Sequence, residues 1–250
     1  MEVLKRKIQN FLGKKKKLQR SEAIVFDKPG NTLAKEAYTR LKDNILCYCV
    51  DGDKKVIQIE STIPGESKTT TICNLAVCLA QSGKKVCLID YDFRKPRVHR
   101  VFEQENVNGI VDFMVEKCSK EQLVKKTKYE NVSIVNRGGD IANPSMILTS
   151  HKIPKLMEEL RKEYDIILLD CPPILLISDY IHVARLSDGV LFVVAAGKTK
   201  KKQVAEAINQ LKNNNIEIIG ATFTFFDPKK SNGYSEYNYM NYYGSGELKQ

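Results

Sequence analysis

A lysine followed by three threonines stands where two predicted elements meet. Residues 56–60 are mostly apolar, as in a buried strand, and the apolar residues of 72–80 have helical spacing. A loop between a strand and a helix can bind a phosphate chain, because its backbone N–H groups and the helix N-terminus attract negative charge. We therefore expect Lys68 to reach the outer phosphates and the Thr69 hydroxyl to coordinate Mg²⁺.

The loop departs from the standard phosphate-binding pattern G-x-x-x-x-G-K-[ST]. Thr62 and Ser67 stand where that pattern has its two glycines. The candidate nucleotide-binding residues are Pro64, Gly65, Glu66, Ser67, Lys68, Thr69 and Thr70. The alternative interpretation of this stretch is a Ser/Thr-rich N-cap on an ordinary helix.

Two further predicted strands end in aspartates. The stretch KKVCLIDYD (84–92) ends with Asp90 and Asp92, and YDIILLDCPP (164–173) contains Asp170 before a proline pair. A single such Asp is more often a turn or N-cap residue. Parallel strands, however, present their carboxyl ends at one edge of a sheet, so three aspartates converge on the Lys68 loop. This arrangement predicts an Mg-nucleotide site on an α/β, P-loop NTPase-like fold with a mostly parallel sheet and helices on both faces.

The combination of PGESKTT, LIDYDFRKP and LLDCPP resembles the bacterial tyrosine kinases (BY-kinases) of capsule and exopolysaccharide synthesis. Supporting stretches are EAYTRLKDNI, NVNGIVDFM, NPSMILTS, SDYIHVARLSDGVLFVV and a C-terminal tyrosine cluster, so the resemblance covers about residues 30–245. Related partitioning ATPases usually carry an extra lysine early in the loop, which is absent here. The resemblance implies a cytoplasmic, ATP-dependent protein-tyrosine autokinase that resembles P-loop ATPases and not eukaryotic kinases.

Roles at the site follow from that resemblance and from the chemistry of phosphoryl transfer. ATP and Mg²⁺ are the expected cofactors, with Thr69, Asp90, Asp92 and Asp170 as candidate metal ligands. Asp90 is the candidate for accepting the tyrosine proton, although the roles of the three aspartates are interchangeable at this level. Arg94 is expected to orient phosphate or the incoming tyrosine, whereas a solvated basic loop suits Arg97 and Arg100 better.

Composition is consistent with this interpretation. The 250 residues, 42% of them apolar, suit one large α/β domain. No apolar run approaches the 18 residues that cross a bilayer, and the seven cysteines lack the spacing of a zinc site or a secreted disulfide framework. A net charge of +10 suits a membrane surface or an anionic ligand. We expect no nucleic-acid partner, since no recognition helix or RNA-binding aromatic motif is evident.

The predicted organisation has three parts: a basic N-terminal segment and linker (1–30), the kinase domain (31–227) and a tyrosine-rich tail (228–250). Leu4, Ile8, Phe11 and Leu12 fall on one helical face among lysines, which predicts a peripheral location at the inner face of the membrane. A solvated tail is the alternative. Residues 21–31 are expected to form an extended linker.

The tail contains five of the chain's eleven tyrosines: Tyr234, Tyr237, Tyr239, Tyr242 and Tyr243. With few aliphatic residues around them, these tyrosines cannot form a core. Beside a kinase-like site, they are predicted to be autophosphorylated. A low-complexity tail without this role is the alternative.

Residues 32–49 are predicted to form the first helix. In the family it carries Glu-x-x-Arg-x-x-Arg, a pattern associated with ring assembly; here Glu36 is followed by Thr39 and Lys42, and Arg40 is turned by about 100°. The implied partners are a membrane-anchored activator of the polysaccharide co-polymerase type, further copies of the chain through the Glu36 helix and the tail, and a tyrosine phosphatase. Two other functions remain open: a membrane-associated ATPase switch, and a nucleotide-binding regulator without turnover, which Ser67 favours.

The remaining predicted elements frame the site. Residues 121–136 are expected to give a helix and then a strand over 132–135, and residues 137–150 a loop. A helix with Asp179 near its start follows, then a strand over 190–195, a further helix, and a last strand over 216–226.

Overall fold

The computed structural model describes residues 24–30, 32–50 and 52–226. The predictions for the membrane-binding segment and for the tyrosine tail lie outside the described residues. The strands are β1 (Val56–Ser61), β2 (Val86–Asp90), β3 (Val124–Lys126), β4 (Val132–Val135), β5 (Ile166–Asp170), β6 (Gly189–Ala195) and β7 (Ile218–Thr224). They form one sheet in the order β3-β4-β2-β5-β1-β6-β7. Only the β3–β4 pairing is antiparallel, which confirms the predicted mostly parallel sheet.

Helices lie on both faces of the sheet. They are α1 (Thr32–Tyr48), α2 (Lys68–Gln81), α3 (Val98–Val101), α4 (Ile110–Met114), α5 (Lys120–Leu123), α6 (Pro144–Leu148), α7 (Lys152–Glu163), α8 (Asp179–Ala184) and α9 (Lys201–Asn213). Ile57 and Leu88 face one core together with α1, α2 and α3. Val56 and Ile89, their neighbours in the chain, face the opposite core with α4 to α8. The alternation follows from the two-residue period of a strand and confirms the layered fold.

The central strands are mostly apolar because both of their faces are covered; the exceptions are Gln58, Glu60 and Ser61 in β1 and the aspartates that end β2 and β5. Every residue of β1, β2, β5 and β6 is buried, as expected for parallel strands between helical layers. In the sheet register Asp170 pairs with Ile59 of β1 and with Asp90 of β2. The register therefore brings the ends of β2 and β5 to the start of the phosphate loop.

Several elements differ from the sequence-based expectation. The proposed linker contains a 3-10 turn (Val25–Asp27), and Ile24 beside it is only 2% exposed. The Val25 N–H donates to Asn74 Oδ1 of α2 at 2.7 Å, so this stretch packs on the fold. The segment 121–136 has an additional short strand, β3, and the loop 137–150 contains α6. Two of the three residues of β3 are lysines, so the strand has no apolar pattern by which the sequence could reveal it.

Within the described ranges, no helix combines the length and the apolar character that crossing a membrane requires. The seven cysteines, all within the described ranges, form no disulfide, and Cys73, Cys78, Cys87, Cys118 and Cys171 are buried. They behave as small apolar residues.

Candidate active site

The phosphate loop joins β1 to α2, and its backbone has an unusual conformation at two positions. Gly65 has φ +80°, which glycine adopts without strain. Ser67 is the N-cap of α2 with φ 62° and ψ 25°, and its side chain makes no capping hydrogen bond. A serine with left-handed backbone stands where the standard loop has glycine, which costs about 1–2 kcal/mol.

Asp170 binds both functional side chains of the loop. Its Oδ1 lies 2.5 Å from Lys68 Nζ, and its Oδ2 accepts a hydrogen bond from Thr69 Oγ1 at 2.7 Å. The Lys68 and Asp170 side chains are 6% and 0% exposed. Burial lowers the pKa of Lys68, but the carboxylates of Asp170 and Asp92 outweigh burial, so its pKa lies above the ordinary value. Lys68 is therefore a fully charged ammonium group beneath the loop.

Asp90 is fully buried and fixed by backbone N–H groups. Its Oδ1 accepts from Asp92 N at 3.1 Å, and its Oδ2 accepts from Arg97 N at 2.9 Å and Val98 N at 3.1 Å. Burial, followed by the repulsion of Asp170, raises the pKa of Asp90 to about 8. A carboxyl group with both oxygens occupied and no solvent access is poorly placed to accept a proton from an incoming tyrosine, which the sequence analysis had assigned to it.

Asp92 and Arg94 lie at the open side of the same edge. Asp92 is half-buried, and its Oδ1 accepts from Lys95 N at 2.9 Å. Arg94 is exposed, and its Nη2 lies 3.7 Å from Asp179 Oδ2 at the start of α8. The sequence-predicted residues Lys68, Thr69, Asp90, Asp92 and Asp170 thus come together, whereas Arg94 is turned toward Asp179.

Glu66 has a structural task that the sequence analysis missed. Its side chain is 1% exposed. The carboxylate accepts from Ile63 N at 2.8 Å, from Ala195 N at 3.0 Å and from Thr199 Oγ1 at 2.5 Å. Glu66 is therefore a brace between the loop and the end of β6, and only its backbone remains a candidate for contacting phosphate. An acidic residue inside an anion-binding loop is the sequence signal for such a brace, since a carboxylate repels phosphate.

A second acidic residue that the sequence analysis passed over is Glu60 at the end of β1. It is fully buried, and Gln58 Nε2 donates to its Oε1 at 2.6 Å. Burial raises the pKa of Glu60 to about 8, against the opposing effect of Gln58 and Lys68. Glu60 is thus a largely neutral acid at pH 7 beside the charged pair of the site.

The donor set fits a magnesium nucleotide. Among the residues that the structure describes, no three His, Cys, Asp or Glu side chains form a metal site by themselves. Mg²⁺ characteristically takes one or two protein carboxylates and completes its shell with phosphate oxygens and water. Thr69 and Asp170, bonded to each other at 2.7 Å, offer a hydroxyl and a carboxylate of this kind.

A parallel sheet, a loop before a helix, a buried lysine and acidic strand ends define a nucleotide-binding protein of the P-loop ATPase class. A family model described as "AAA domain" matches residues 54–219. Tyrosine-protein kinase YwqD of Bacillus subtilis is 38% identical over 83% of this chain and 86% of the relative. Putative tyrosine-protein kinase CapB of Staphylococcus aureus is 30% identical over 89% and 97%.

Similarity extends to solved structures. The kinase domain of the Escherichia coli tyrosine kinase ETK has a TM-score of 0.75 at 27% identity, over 81% of this chain and 79% of that domain. The chain belongs to the family of bacterial tyrosine-protein kinases, as the sequence motifs predicted.

Proposed function

We propose that this kinase is an autokinase that transfers the outer phosphate of MgATP to the tyrosines of its own tail, and that it regulates the synthesis and export of capsular or exopolysaccharide. The observation that carries the proposal is the buried contact of Lys68 and Thr69 with Asp170 at the carboxyl edge of the sheet. The five tyrosines Tyr234, Tyr237, Tyr239, Tyr242 and Tyr243 are the proposed acceptors.

In this mechanism the chain positions charge and excludes water. Backbone N–H groups of residues 65–70 bind the phosphates, and Lys68 leaves Asp170 to neutralise charge on the transferring group. Thr69 and Asp170 are the residues that would hold Mg²⁺, which would supply further neutralisation of phosphate charge. Asp90, fixed by three backbone N–H groups, keeps the turn after β2 in place.

Asp92 is a better candidate than Asp90 for accepting the tyrosine proton. Its carboxylate is half-buried and adjoins the open edge, whereas Asp90 has no exposed surface. A general base needs hydrogen-bond reach to the hydroxyl that it deprotonates. Arg94 remains proposed to orient the incoming tyrosine, after release from Asp179.

Transfer is proposed to occur between molecules. The experiment mixes an inactive Lys68→Met chain that keeps its tail with an active chain whose five tail tyrosines are phenylalanine. Phosphate on the inactive chain's tail, read by mass spectrometry, supports transfer between molecules; the Lys68→Met chain alone is the blank. No phosphate on that tail, together with concentration-independent labelling of the intact chain, would show transfer within one chain.

Ser67 supports a second candidate, a nucleotide-binding regulator with little turnover. Its left-handed backbone, with φ 62°, places a Cβ where the standard loop has none. Such a chain binds MgATP but leaves every tail tyrosine unmodified in the mixing experiment.

The proposed partners follow from the family. A membrane-anchored activator of the polysaccharide co-polymerase type would switch the kinase on, and a tyrosine phosphatase would reset it. Further copies are proposed to meet through α1, where Leu33 is 62% exposed and Thr39 and Arg40 lie on the surface. Light scattering of the unmodified chain tests this contact, and a monomer at every concentration would contradict it.

The N-terminal segment is proposed to add membrane affinity through its lysines at 5, 7 and 14–17. Binding to anionic vesicles should weaken as salt rises and when residues 1–18 are deleted. Equal binding by the truncated chain would show that the segment adds no membrane affinity.

A further inference from the structure

A cavity of about 460 Å³ opens beside the segment that follows β2. None of its lining residues is acidic. Its basic lining residues, here called the basic pocket, are Arg94, Lys95, Arg97, His99, Arg100 and Arg137. A concave surface with charge of one sign concentrates ligands of the opposite sign. The basic pocket is therefore suited to an anion.

Contacts within the basic pocket leave its charge only partly balanced. Arg137 is fixed, because its Nη1 donates to Phe93 O at 3.1 Å and its Nη2 donates to Asp140 at 2.6 Å. Lys95 and Arg100 are exposed and have no ion pair in the described part of the chain. Planar guanidinium groups and a lysine are the side chains that proteins use to bind phosphate.

His99 provides independent evidence that the electrostatic potential in the basic pocket is positive. Its Nδ1 is shielded from solvent and has no hydrogen-bond partner among the described residues. Burial lowers the pKa of His99, and the positive charges of Arg100 and Arg137 lower it further. A bound dianion would offset those charges and raise the pKa again.

The basic pocket adjoins the active site through the backbone. The carboxylate of Asp90 accepts from Arg97 N at 2.9 Å and from Val98 N at 3.1 Å, so the basic segment starts at the catalytic edge. The product formed at that edge is a tyrosine phosphate. Residues 231–246 of the tail contain one glutamate and no lysine or arginine, so little charge attracts or repels the unmodified tail. Each phosphate adds nearly two negative charges.

We propose that the basic pocket binds a phosphotyrosine of the chain's own tail once the phosphate has been transferred. Four strand spacings separate β2 from β7 in the sheet, roughly 19 Å. Residues 227–234, which continue from the end of β7 to the first tail tyrosine, span up to roughly 26 Å. The tail is therefore long enough to reach the basic pocket of its own molecule. This inference rests on the proposed tail phosphorylation, and the test uses a synthetic phosphopeptide so that the two can fail separately.

The probe is a peptide of residues 231–246 carrying phosphate on Tyr239. It is titrated into the full chain with all five tail tyrosines changed to phenylalanine, which removes competition from the chain's own phosphate. We expect the phosphopeptide to bind at least about tenfold more tightly than the unmodified peptide. Binding should also raise the pKa of His99, followed in the histidine NMR titration, where only three histidines contribute.

Matched variants locate the binding site. The double change Lys95→Gln and Arg100→Gln should weaken phosphopeptide binding about tenfold or more. The double change Lys155→Gln and Lys212→Gln removes two exposed lysines elsewhere and should change it by less than about twofold. Circular dichroism confirms that each variant is folded, and Arg100→Lys, which keeps the charge, should recover part of the affinity.

Four results would overturn the proposal. The first is equal binding of the phosphopeptide by the Lys95/Arg100 variant and by its parent. The second is equal binding of inorganic phosphate and phosphopeptide, which marks a general anion site. The third is that the variant loses binding to anionic vesicles while neither it nor its parent binds the phosphopeptide, which would assign the surface to the membrane. The fourth is a concentration-dependent His99 shift in the autophosphorylated chain, which assigns the bound tail to a second molecule.

Discussion

Asp170 holds both functional groups of the phosphate loop through Lys68 at 2.5 Å and Thr69 at 2.7 Å. In the proposed mechanism the nucleotide phosphates and Mg²⁺ would replace these contacts, since they would offer Lys68 negative oxygens and Asp170 a cation. Removing one member of a buried ion pair leaves the other uncompensated, at about 3–5 kcal/mol. The contact with Lys68 therefore keeps the buried charge of Asp170 compensated within the chain.

Ser67→Gly should raise turnover about tenfold, because glycine adopts φ 62° without strain and removes a Cβ beside the phosphates. Ser67→Ala is the control: it removes the hydroxyl but keeps the Cβ and the strained backbone, so it should remain slow. Steady-state ATP turnover of the three chains measures the effect. An unchanged or lowered rate for Ser67→Gly would mean that serine fits this loop.

Glu60 should make stability depend on pH. Its pKa is about 8 in the fold against an ordinary 4.5, so the folded chain holds a proton that the unfolded chain has released. This contribution is complete below pH 4.5 and is lost as pH rises through 8, at about 1 kcal/mol per pH unit. Glu60→Gln keeps an acceptor for Gln58 and removes the titration.

Urea unfolding at pH 6 and pH 9 measures the difference. The Glu60→Gln chain should lose less stability than the parent over this interval, although Asp90, whose pKa is also about 8, contributes a slope to both chains. Glu158→Gln, the same change at an exposed position, should parallel the parent. If the Glu60→Gln chain loses as much stability between pH 6 and pH 9 as the parent, Glu60 does not hold the extra proton.

At the scale of elements, the loop is fixed to the sheet by β6 and the segment after it. Glu66 joins Ile63 N to Ala195 N and Thr199 Oγ1, and Lys198 Nζ donates to Gly65 O at 2.8 Å. These contacts hold the loop in position before any ligand binds.

Glu66→Gln should lower stability by about 2 kcal/mol, because the new amide group places a donor against a backbone N–H. KM for ATP should rise as the loop loosens. Thr199→Val removes one bond and leaves the carboxylate with both backbone N–H groups, so its effects should be smaller. Denaturant unfolding and ATP kinetics measure both quantities; a fully stable Glu66→Gln chain with unchanged KM would refute the brace.

The sequence predicted those elements whose burial determines their composition. Residues 86–90 and 166–170 are apolar up to their final aspartates, so their place in a parallel sheet and the meeting of Asp90 with Asp170 were predictable. The lysine-rich strand β3 was not, because an edge strand exposes side chains that carry no apolar pattern. The burial of Ile24 was missed because an apolar run as short as residues 23–26 does not reveal what covers it.

For the site, the residue types predicted which residues belong to it but not where their side chains point. Lys68, Thr69 and the three aspartates were identified from spacing along the chain. Asp90 is fixed by backbone N–H groups two, seven and eight residues further along the chain, in the turn after β2. Glu66 turns toward Ala195 N of β6, which is distant in the sequence. Residue types alone reveal neither the conformation of that turn nor the approach of β6, so the base and the brace could only be argued from the structure.

At the scale of the whole molecule, the proposed cycle links the site to the tail. Phosphates added to one tail repel each other and favour release from a neighbouring active site, while the basic pocket retains a modified tyrosine of the same chain. An assembly held together by tails bound in neighbouring active sites would loosen in both ways, because the tail leaves the neighbour and is then held by its own molecule.

The central claim is that Lys68 drives phosphorylation of the tail. The most direct measurement is mass spectrometry of the purified chain after incubation with MgATP, beside Lys68→Met and the exposed-site control Lys84→Met. Lys68→Arg keeps a charge opposite Asp170 and guards against loss of folding. We predict phosphate on Tyr234, Tyr237, Tyr239, Tyr242 or Tyr243 in the parent and Lys84→Met chains, and labelling lower by about a hundredfold or more in both Lys68 variants. An unlabelled parent chain that binds MgATP, or equal labelling of the Lys68→Met chain, would contradict the account.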